Sequence, residues 1–279
     1  MKVFSKISEL QHYVLEQKFL RKSIGFVPTM GALHSGHSEL LKRAREQSDV
    51  VVCSIFVNPA QFNNQEDLTN YPRTAERDIE LLKSVGCDAL FMPHADEVYR
   101  ESTLLKFNFG ELESVMEGVH RPGHFNGVAL IVSKLFHLVN PDFAYFGQKD
   151  LQQLTIIKQL VKDLSFPVQI VSVPTVREES GLAKSSRNER LSEDGKNVAA
   201  QINKRLKELE NQILEGSDFD ECRPESIDFL NGKGIEVEYL ELVDSETMKA
   251  VPNKLNGKSV ALCIAAIVEG VRLIDNRIF

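Results

Sequence analysis

Residues 25–37 read GFVPTMGALHSGH and run directly into SELLKRAREQS at 38–48. The apolar run 24–27 is closed by Pro28, and Gly31 and Gly36 punctuate the next ten residues. Leu40, Leu41 and Ala44 then recur at helical spacing. The pattern predicts a strand, a glycine-bearing turn and a helix, the opening unit of an α/β domain.

The first turn of a helix carries backbone N–H groups with no intrahelical partner, and the macrodipole adds about half a positive charge there. Anions collect at such a place. Gly31 lets the backbone come close to a ligand, and Gly36 removes a side chain where the helix would begin. If the helix has begun by His34, then His34 and His37 share one face and both imidazoles aim at whatever the helix end holds. There they donate to phosphate oxygens, and a protonated ring neutralises the charge that develops as pyrophosphate leaves. The stretch is neither the dinucleotide fingerprint Gly-x-Gly-x-x-Gly nor the phosphate loop Gly-x-x-x-x-Gly-Lys-Ser/Thr. With Pro28-Thr29-Met30-Gly31 in front, His34-Ser35-Gly36-His37 resembles the His-x-Gly-His signature of class I synthetases and nucleotidylyltransferases. Two exposed helix histidines or a metal pair are the other readings, and the metal pair has no third ligand at suitable spacing nearby.

The 279 residues, 42% of them apolar, suffice for one large domain or two modest ones. With 33 basic against 40 acidic residues the net charge is −7, unlike a dedicated nucleic-acid binder, so no nucleic-acid partner is expected. Cys53, Cys87, Cys222 and Cys263 form no Cys-x-x-Cys pair and sit mostly in apolar runs. They read as reduced, mostly buried thiols of a cytoplasmic protein. Residues 1–18 are a polar amphipathic helix candidate without a cleavable apolar core, and the longest apolar run, 260–268, is too short to span a bilayer. A soluble chain without a membrane partner is expected.

Residues 49–57 form an almost continuous β-branched run, as in a strand buried on both faces of a parallel sheet. It ends in Asn58-Pro59-Ala60-Gln61-Phe62, beyond a carboxyl end where open α/β sheets bind ligands. Gln61 reads equally as a substrate hydrogen-bond donor or as a loop cap. A helix to Val85 follows, with Thr74 as its cap, then a strand at 87–92. One short helix is expected at 111–118. The loop 120–127, HRPGHFNG, is either a solvated basic loop or an anion contact. Helical spacing follows at 128–139 and a fourth strand at 143–146. Gly147-Gln148-Lys149-Asp150 opens the next helix, to Leu164, and offers phosphates both N–H groups and a lysine; Gln152 and Gln153 lie in its first turn. A fifth strand is read at 168–173.

This alternation predicts α/β: a Rossmann-like, parallel, doubly wound sheet over residues 1–174. Residues 175–192, TVREESGLAKSSRNERLS, are polar with little apolar periodicity and read as a functional linker that begins a second domain, 175–279, of α+β type. In it, helices are expected at 193–216 and 223–232, an exposed antiparallel strand at 237–243, and a hairpin of 260–268 with 271–274 around Glu269-Gly270.

Lys184-Ser185-Ser186-Arg187-Asn188 looks like a shorter version of the mobile Lys-Met-Ser-Lys-Ser loop that brings a cation to the ATP phosphates in class I synthetases. Together with PTMGALHSGH, SIFVNPAQF, YPR, HRPGHFNGV, NPDFAYFGQKDLQQL, PTVREESGLAKSSRN and RLIDN, spread from Val27 to Asn276, it resembles the pantoate–β-alanine ligase family. The resemblance implies a Mg²⁺-dependent reaction in which pantoate and ATP give pantoyl adenylate and β-alanine then gives pantothenate and AMP, in a homodimer. It implies ATP contacts at Met30, Gly31, Ala32, Leu33, His34, Ser35, Gly36, His37, Gly147, Gln148, Lys149, Asp150, Val176, Lys184, Ser185, Ser186 and Arg187. Pantoate and β-alanine contacts fall at Gln61 and Gln153, and catalytic groups at His37, the proton donor, with His34, Lys149 and Arg187. No metal ligand is assigned, and Arg121 and His124 receive no role. The sequence departs from the family pattern at Lys184 (usually Met or Leu), at Gln148 (usually Glu), at Ala60 (usually bulkier, so a wider pantoate pocket) and at Glu189-Arg190. The rival readings are a nucleotidylyltransferase of the same superfamily and a non-catalytic RNA-binding synthetase relative.

Overall fold

The structure, a computed structural model, describes residues 1–63, 65–251, 257 and 259–279. It divides into two compact units, residues 1–147 with 156–173, and residues 148–155 with 174–279.

The first unit is built on β1 (Lys2–Phe4), β2 (Ile24–Thr29), β3 (Val50–Ile55), β4 (Ala89–Phe91), β5 (Phe143–Gly147) and β6 (Gln169–Val173). Its connecting helices are α1 (Ile7–Phe19), α2 (Ser35–Gln47), α3 (Gln65–Thr69), α4 (Ala75–Ser84), α5 (Ala95–Val98), α6 (Glu117–His120) and α7 (His124–Val139), and α8 (Leu151–Asp163) ends in it. The six strands pair in parallel in the order β1-β4-β3-β2-β5-β6. The chain therefore builds outward from β2 on one side, then returns to its other side with β5 and β6. That reversal is a topological switch point, and the crevice it leaves lies at the carboxyl ends of the strands. Alternation along β2 supplies both faces: Val27 joins Val51, Cys53 and Ile55 under Leu40, Leu41 and Ala44 of α2, while Phe26 meets Phe136 of α7 edge-on at 6.5 Å.

β2 does not stop before Pro28 but runs through it to Thr29, and Pro28 pairs with Ser54. The Thr29 carbonyl accepts from Phe56 N at 3.0 Å, so Thr29 faces β3 and its neighbour Pro28 faces the β5 side. On that side the register ends at Phe26 with Ala144. The missing proline N–H thus falls where β2 and β5 have already parted, at the mouth of the crevice.

Further differences have local causes. β1, only three residues long, lies in the stretch read as helix, and α1 begins after it at Ile7. Residues 110–120 form a 3-10 turn, Gly110–Glu113, and then α6 rather than one helix. The 120–127 stretch is only half loop, because α7 starts at His124 behind Gly123 at φ 79°. Thr74 precedes α4, yet its hydroxyl donates to Asp78 Oδ1 at 3.0 Å instead of capping a helix N–H.

The second unit packs α9 (Glu193–Leu214) and α10 (Phe219–Asn231) on the antiparallel sheet β7 (Glu236–Asp244), β8 (Val260–Val268) and β9 (Val271–Ile278). Leu206, Leu209 and Ile213 meet Leu230, Leu240, Leu262 and Ile264 in its core. Glu269 at φ 51° and Gly270 at φ 73° make the two-residue turn expected between β8 and β9. α10 starts four residues before Arg223, because Asp218 caps it by accepting from Asp220 N at 2.8 Å. β7 is half-buried rather than exposed. Residues 175–192, polar as they are, pack Leu182, Ala183 and Leu191 into buried positions. Arg177 bridges Ala183 in an antiparallel turn closed by Lys184 N on Val176 O at 2.9 Å.

Cys53, Cys87 and Cys263 are buried, and burial pushes the Cys87 thiol up to about 11 and Cys53 well above its ordinary range. Cys53 and Cys87 are protonated packing groups. No helix among the described residues is long and apolar enough to cross a membrane.

Candidate active site

The turn after β2 is held from two sides. Thr29 Oγ1 donates to Ser54 O at 2.7 Å and accepts from Gly31 N at 3.2 Å. Gly31 (φ 86°) and Ala32 (φ 49°) are both left-handed, a conformation that an alanine adopts only when its surroundings impose it. The imposing group is Asp78 of α4, 1% exposed, whose Oδ2 accepts from Ala32 N at 2.9 Å and Oδ1 from Leu33 N at 2.8 Å. Sequence reading did not find Asp78, because an acid in the first turn of a helix reads as a partner for the dipole.

His34 is the cap residue before α2, with extended backbone (φ −138°, ψ 179°), so the two histidines do not share a helical face. They share a capping box instead. His34 Nδ1 accepts from Gly36 N at 3.1 Å and His37 Nδ1 accepts from His34 N at 3.2 Å, with ring centroids 4.2 Å apart. Each Nδ1 uses its lone pair on a backbone donor, so the neutral rings carry their protons on Nε2. The fold thereby fixes the tautomer and makes the two Nε2–H groups the donors at the helix start.

Gln61 ends the 3-10 turn Pro59–Gln61 and is 7% exposed. Its amide Nε2 meets Met30 Sδ at 3.0 Å and its Oε1 accepts from Asn58 Nδ2 at 3.1 Å. The loop-capping task falls to Asn58, whose Oδ1 accepts from Ala60 N at 3.3 Å and from the Tyr99 hydroxyl at 2.7 Å. Burial lifts Tyr99 to about 12, so it stays a donor. His124 Nδ1 lies 2.9 Å from Gln61 O, and since a carbonyl only accepts, this nitrogen carries the proton. Asn58 Nδ2 also reaches Gly127 O at 3.0 Å, so α7 is stitched to the 58–61 turn.

That stitching needs Gly127. A Cβ there would lie 2.1 Å from Ala60 O and 2.4 Å from Ala60 C, both backbone atoms. Gly127→Ala should therefore destabilise the chain by about 1–3 kcal/mol through overpacking. In an open helix the same change would stabilise by ~1 kcal/mol. A urea midpoint unchanged or raised would contradict this close approach.

In the second unit, Gln148–Asp150 forms a 3-10 turn leading into α8, with Lys149 Nζ 3.4 Å from Asp150 Oδ2. Gln152 is buried and Gln153 half-buried in the first turn of α8. Gly147 ends β5 in the first unit. Lys184 pairs with Glu178 at 3.4 Å, which gives the unusual lysine a partner. Ser185 Oγ accepts from Arg187 N at 3.3 Å and caps the 3-10 turn Ser186–Arg190, and buried Asn188 donates to Ala183 O at 3.0 Å. The first unit thus gathers Met30 to His37 with Gln61, and the second gathers Gln148–Asp150 and Gln153 with the Val176 to Arg187 segment.

The family model for pantoate-beta-alanine ligase matches residues 2–278. The pantothenate synthetase of Cytophaga hutchinsonii is 51% identical over 274 residues, which is 98% of this chain and 97% of that protein. The solved pantothenate synthetase from Thermus thermophilus matches with a TM-score of 0.91 at 41% identity, over 99% of each chain. The pantoate-beta-alanine ligase from Francisella tularensis, complexed with beta-gamma ATP and beta-alanine, matches at 0.84 and 37% identity, over 99% of this chain and 97% of that one.

Proposed function

The chain belongs to the pantoate–β-alanine ligase family, and on that premise we propose that it condenses (R)-pantoate with β-alanine to pantothenate, using ATP and passing through pantoyl adenylate. The observation that carries this reading is the family match over residues 2–278, nearly the whole chain. Neither a transferase that stops at AMP transfer nor an RNA-binding relative has comparable support.

In the first step a pantoate carboxylate oxygen attacks the α-phosphorus of ATP, and the bond to pyrophosphate breaks. Negative charge builds on the leaving group, so fixed donors aimed at it lower the barrier. His34 and His37 supply Nε2–H donors, with His37 as the proton donor, and Lys149 and Arg187 supply cations. Met30 to His37, Gly147 to Asp150, Val176 and Lys184 to Arg187 are the residues proposed to contact ATP. Gln61 and Gln153 orient pantoate and β-alanine. In the second step the β-alanine amine attacks the acyl carbon and AMP leaves, which requires both substrates in attack geometry with water excluded. Residues 1–174 serve as the ATP- and pantoate-binding domain and 175–279 as the lid carrying KSSRN.

The family resemblance brings Mg²⁺ with the nucleotide, where it would neutralise phosphate charge. No group of three His, Cys, Asp or Glu residues among the described ones could hold a metal ion. The described residues therefore offer no protein cage for the ion, and no step is derived through it. A cytoplasmic homodimer completes the proposal.

Product analysis with ATP, pantoate and β-alanine, omitting each in turn, tests the reading. Pantothenate and AMP should form only with all three present, and pantoate-dependent pyrophosphate release should persist without β-alanine. A dinucleotide-type product, or AMP release indifferent to β-alanine, would overturn it.

A further inference from the structure

The motif RLIDN near the chain end has no role in the chemistry described so far, yet its last two residues face both loops of the second unit. Asn276 of β9 is 5% exposed, and its amide nitrogen donates to Gln148 O at 2.9 Å and Lys149 O at 2.8 Å. Two carbonyl oxygens can only accept, so the NH₂ end of this amide must face them, and both its protons are used. Asp275 takes Arg177 in a two-point ion pair at 2.7 and 2.9 Å. The same guanidinium donates to Gly181 O at 3.2 Å and to Asn276 O at 3.2 Å. One dipeptide on a sheet strand therefore fastens the 148–150 turn and the 176–184 turn.

The effect on the 148–150 turn follows from peptide geometry. In a trans peptide the C=O and the N–H of one unit point in opposite directions, and the described residues contain no cis bond. With the carbonyls of residues 148 and 149 turned onto Asn276, the N–H groups of Lys149 and Asp150 are turned the opposite way. Two successive N–H groups pointing to one side, beside a lysine, form an anion-facing surface.

We infer that Asn276 is a positioning residue for the nucleotide, holding the Gln148 and Lys149 carbonyls so that the N–H groups of Lys149 and Asp150 are presented to a phosphate. The inference rests on the proposal that Gln148–Asp150 contacts ATP. It differs from a plain packing role, because it places the damage from losing the amide in nucleotide binding and leaves the carboxylate substrates alone.

The test is calorimetric titration of ATP into the full chain, wild type against Asn276→Asp and Asn276→Ala, with KM values for all three substrates. Asn276→Asp keeps the volume but sets a carboxylate against two carbonyls, and Asn276→Ala removes the donors without adding charge, so one variant decides if the other fails to fold. ATP affinity should fall about tenfold or more in Asn276→Ala, a loss of about 1.4 kcal/mol, and further in Asn276→Asp, while the KM values for pantoate and β-alanine stay within about twofold. ATP affinity within about twofold of wild type in a folded variant would overturn the inference. So would a parallel loss of all three affinities. Should the wild-type chain bind ATP without making pantothenate, the functional reading fails while the titration still decides the role of Asn276.

Discussion

Adenylate formation should fall by about 10²–10³ in His37→Ala, the range seen when one preorganised transition-state donor is removed. His37 Nδ1 is committed to His34 N at 3.2 Å, so the donor hydrogen of the ring is placed on Nε2 before any substrate arrives. Preorganisation makes the loss large, because no rearrangement of the site replaces it. The structural loss is smaller: the alanine forfeits half of the imidazole capping box, while His34 still accepts from Gly36 N, so the stability change should stay near ~1 kcal/mol. His37→Asn separates the two effects, since it keeps a short acceptor for the cap but no imidazole. Single-turnover release of pyrophosphate from ATP and pantoate alone isolates the step. An unchanged rate in His37→Ala would remove His37 from the mechanism, and full recovery in His37→Asn would reduce it to a cap.

The parts of this fold legible in sequence are those whose signal is local. The strand, glycine turn and helix around His34, the β-branched run of β3 and the Glu269-Gly270 hairpin each carry their pattern within a dozen residues. What was not legible depends on partners far along the chain. β1 is three residues long and exists because Lys2, Val3 and Phe4 pair with Ala89, Leu90 and Phe91. α7 packs Gly127 against the Ala60 backbone, and HRPGHFNG gives no periodicity by which to place the start of that helix. The 175–192 segment is too short and polar to show a pattern, although Leu182 and Leu191 anchor it in the core. Within the candidate site, the residues proposed for the chemistry stood out, whereas Asp78, Asn58, Tyr99 and Asn276, which bond to the backbone and side chains around them, look like ordinary loop, helix and strand residues until their partners are seen.

Asp78 carries the largest stability effect among these holding residues. Its two oxygens take the N–H groups of Ala32 and Leu33 at 2.9 and 2.8 Å, and both residues are buried, so no water stands ready to replace the carboxylate. Asp78→Ala strands two buried donors, each worth about 1–3 kcal/mol, and the chain should lose roughly 2–5 kcal/mol of unfolding free energy. Ala32 would also lose the contact that keeps it at φ 49°, a conformation with its own cost of about 1–2 kcal/mol, so the turn should relax away from the left-handed region. Since that turn leads into His34 and His37, relaxation displaces the donors at the start of α2, and a misplacement of ~1 Å can lower a rate about 10²-fold. Asp78→Asn conserves volume and one acceptor but puts an NH₂ against the second backbone N–H, so its loss should fall between wild type and Asp78→Ala. Urea unfolding gives the stability term, and single-turnover adenylation below the unfolding transition gives the catalytic one. Should Asp78→Ala unfold at the wild-type midpoint, the carboxylate does not hold the turn. Should it lose stability yet adenylate at the wild-type rate, the turn does not position the imidazoles.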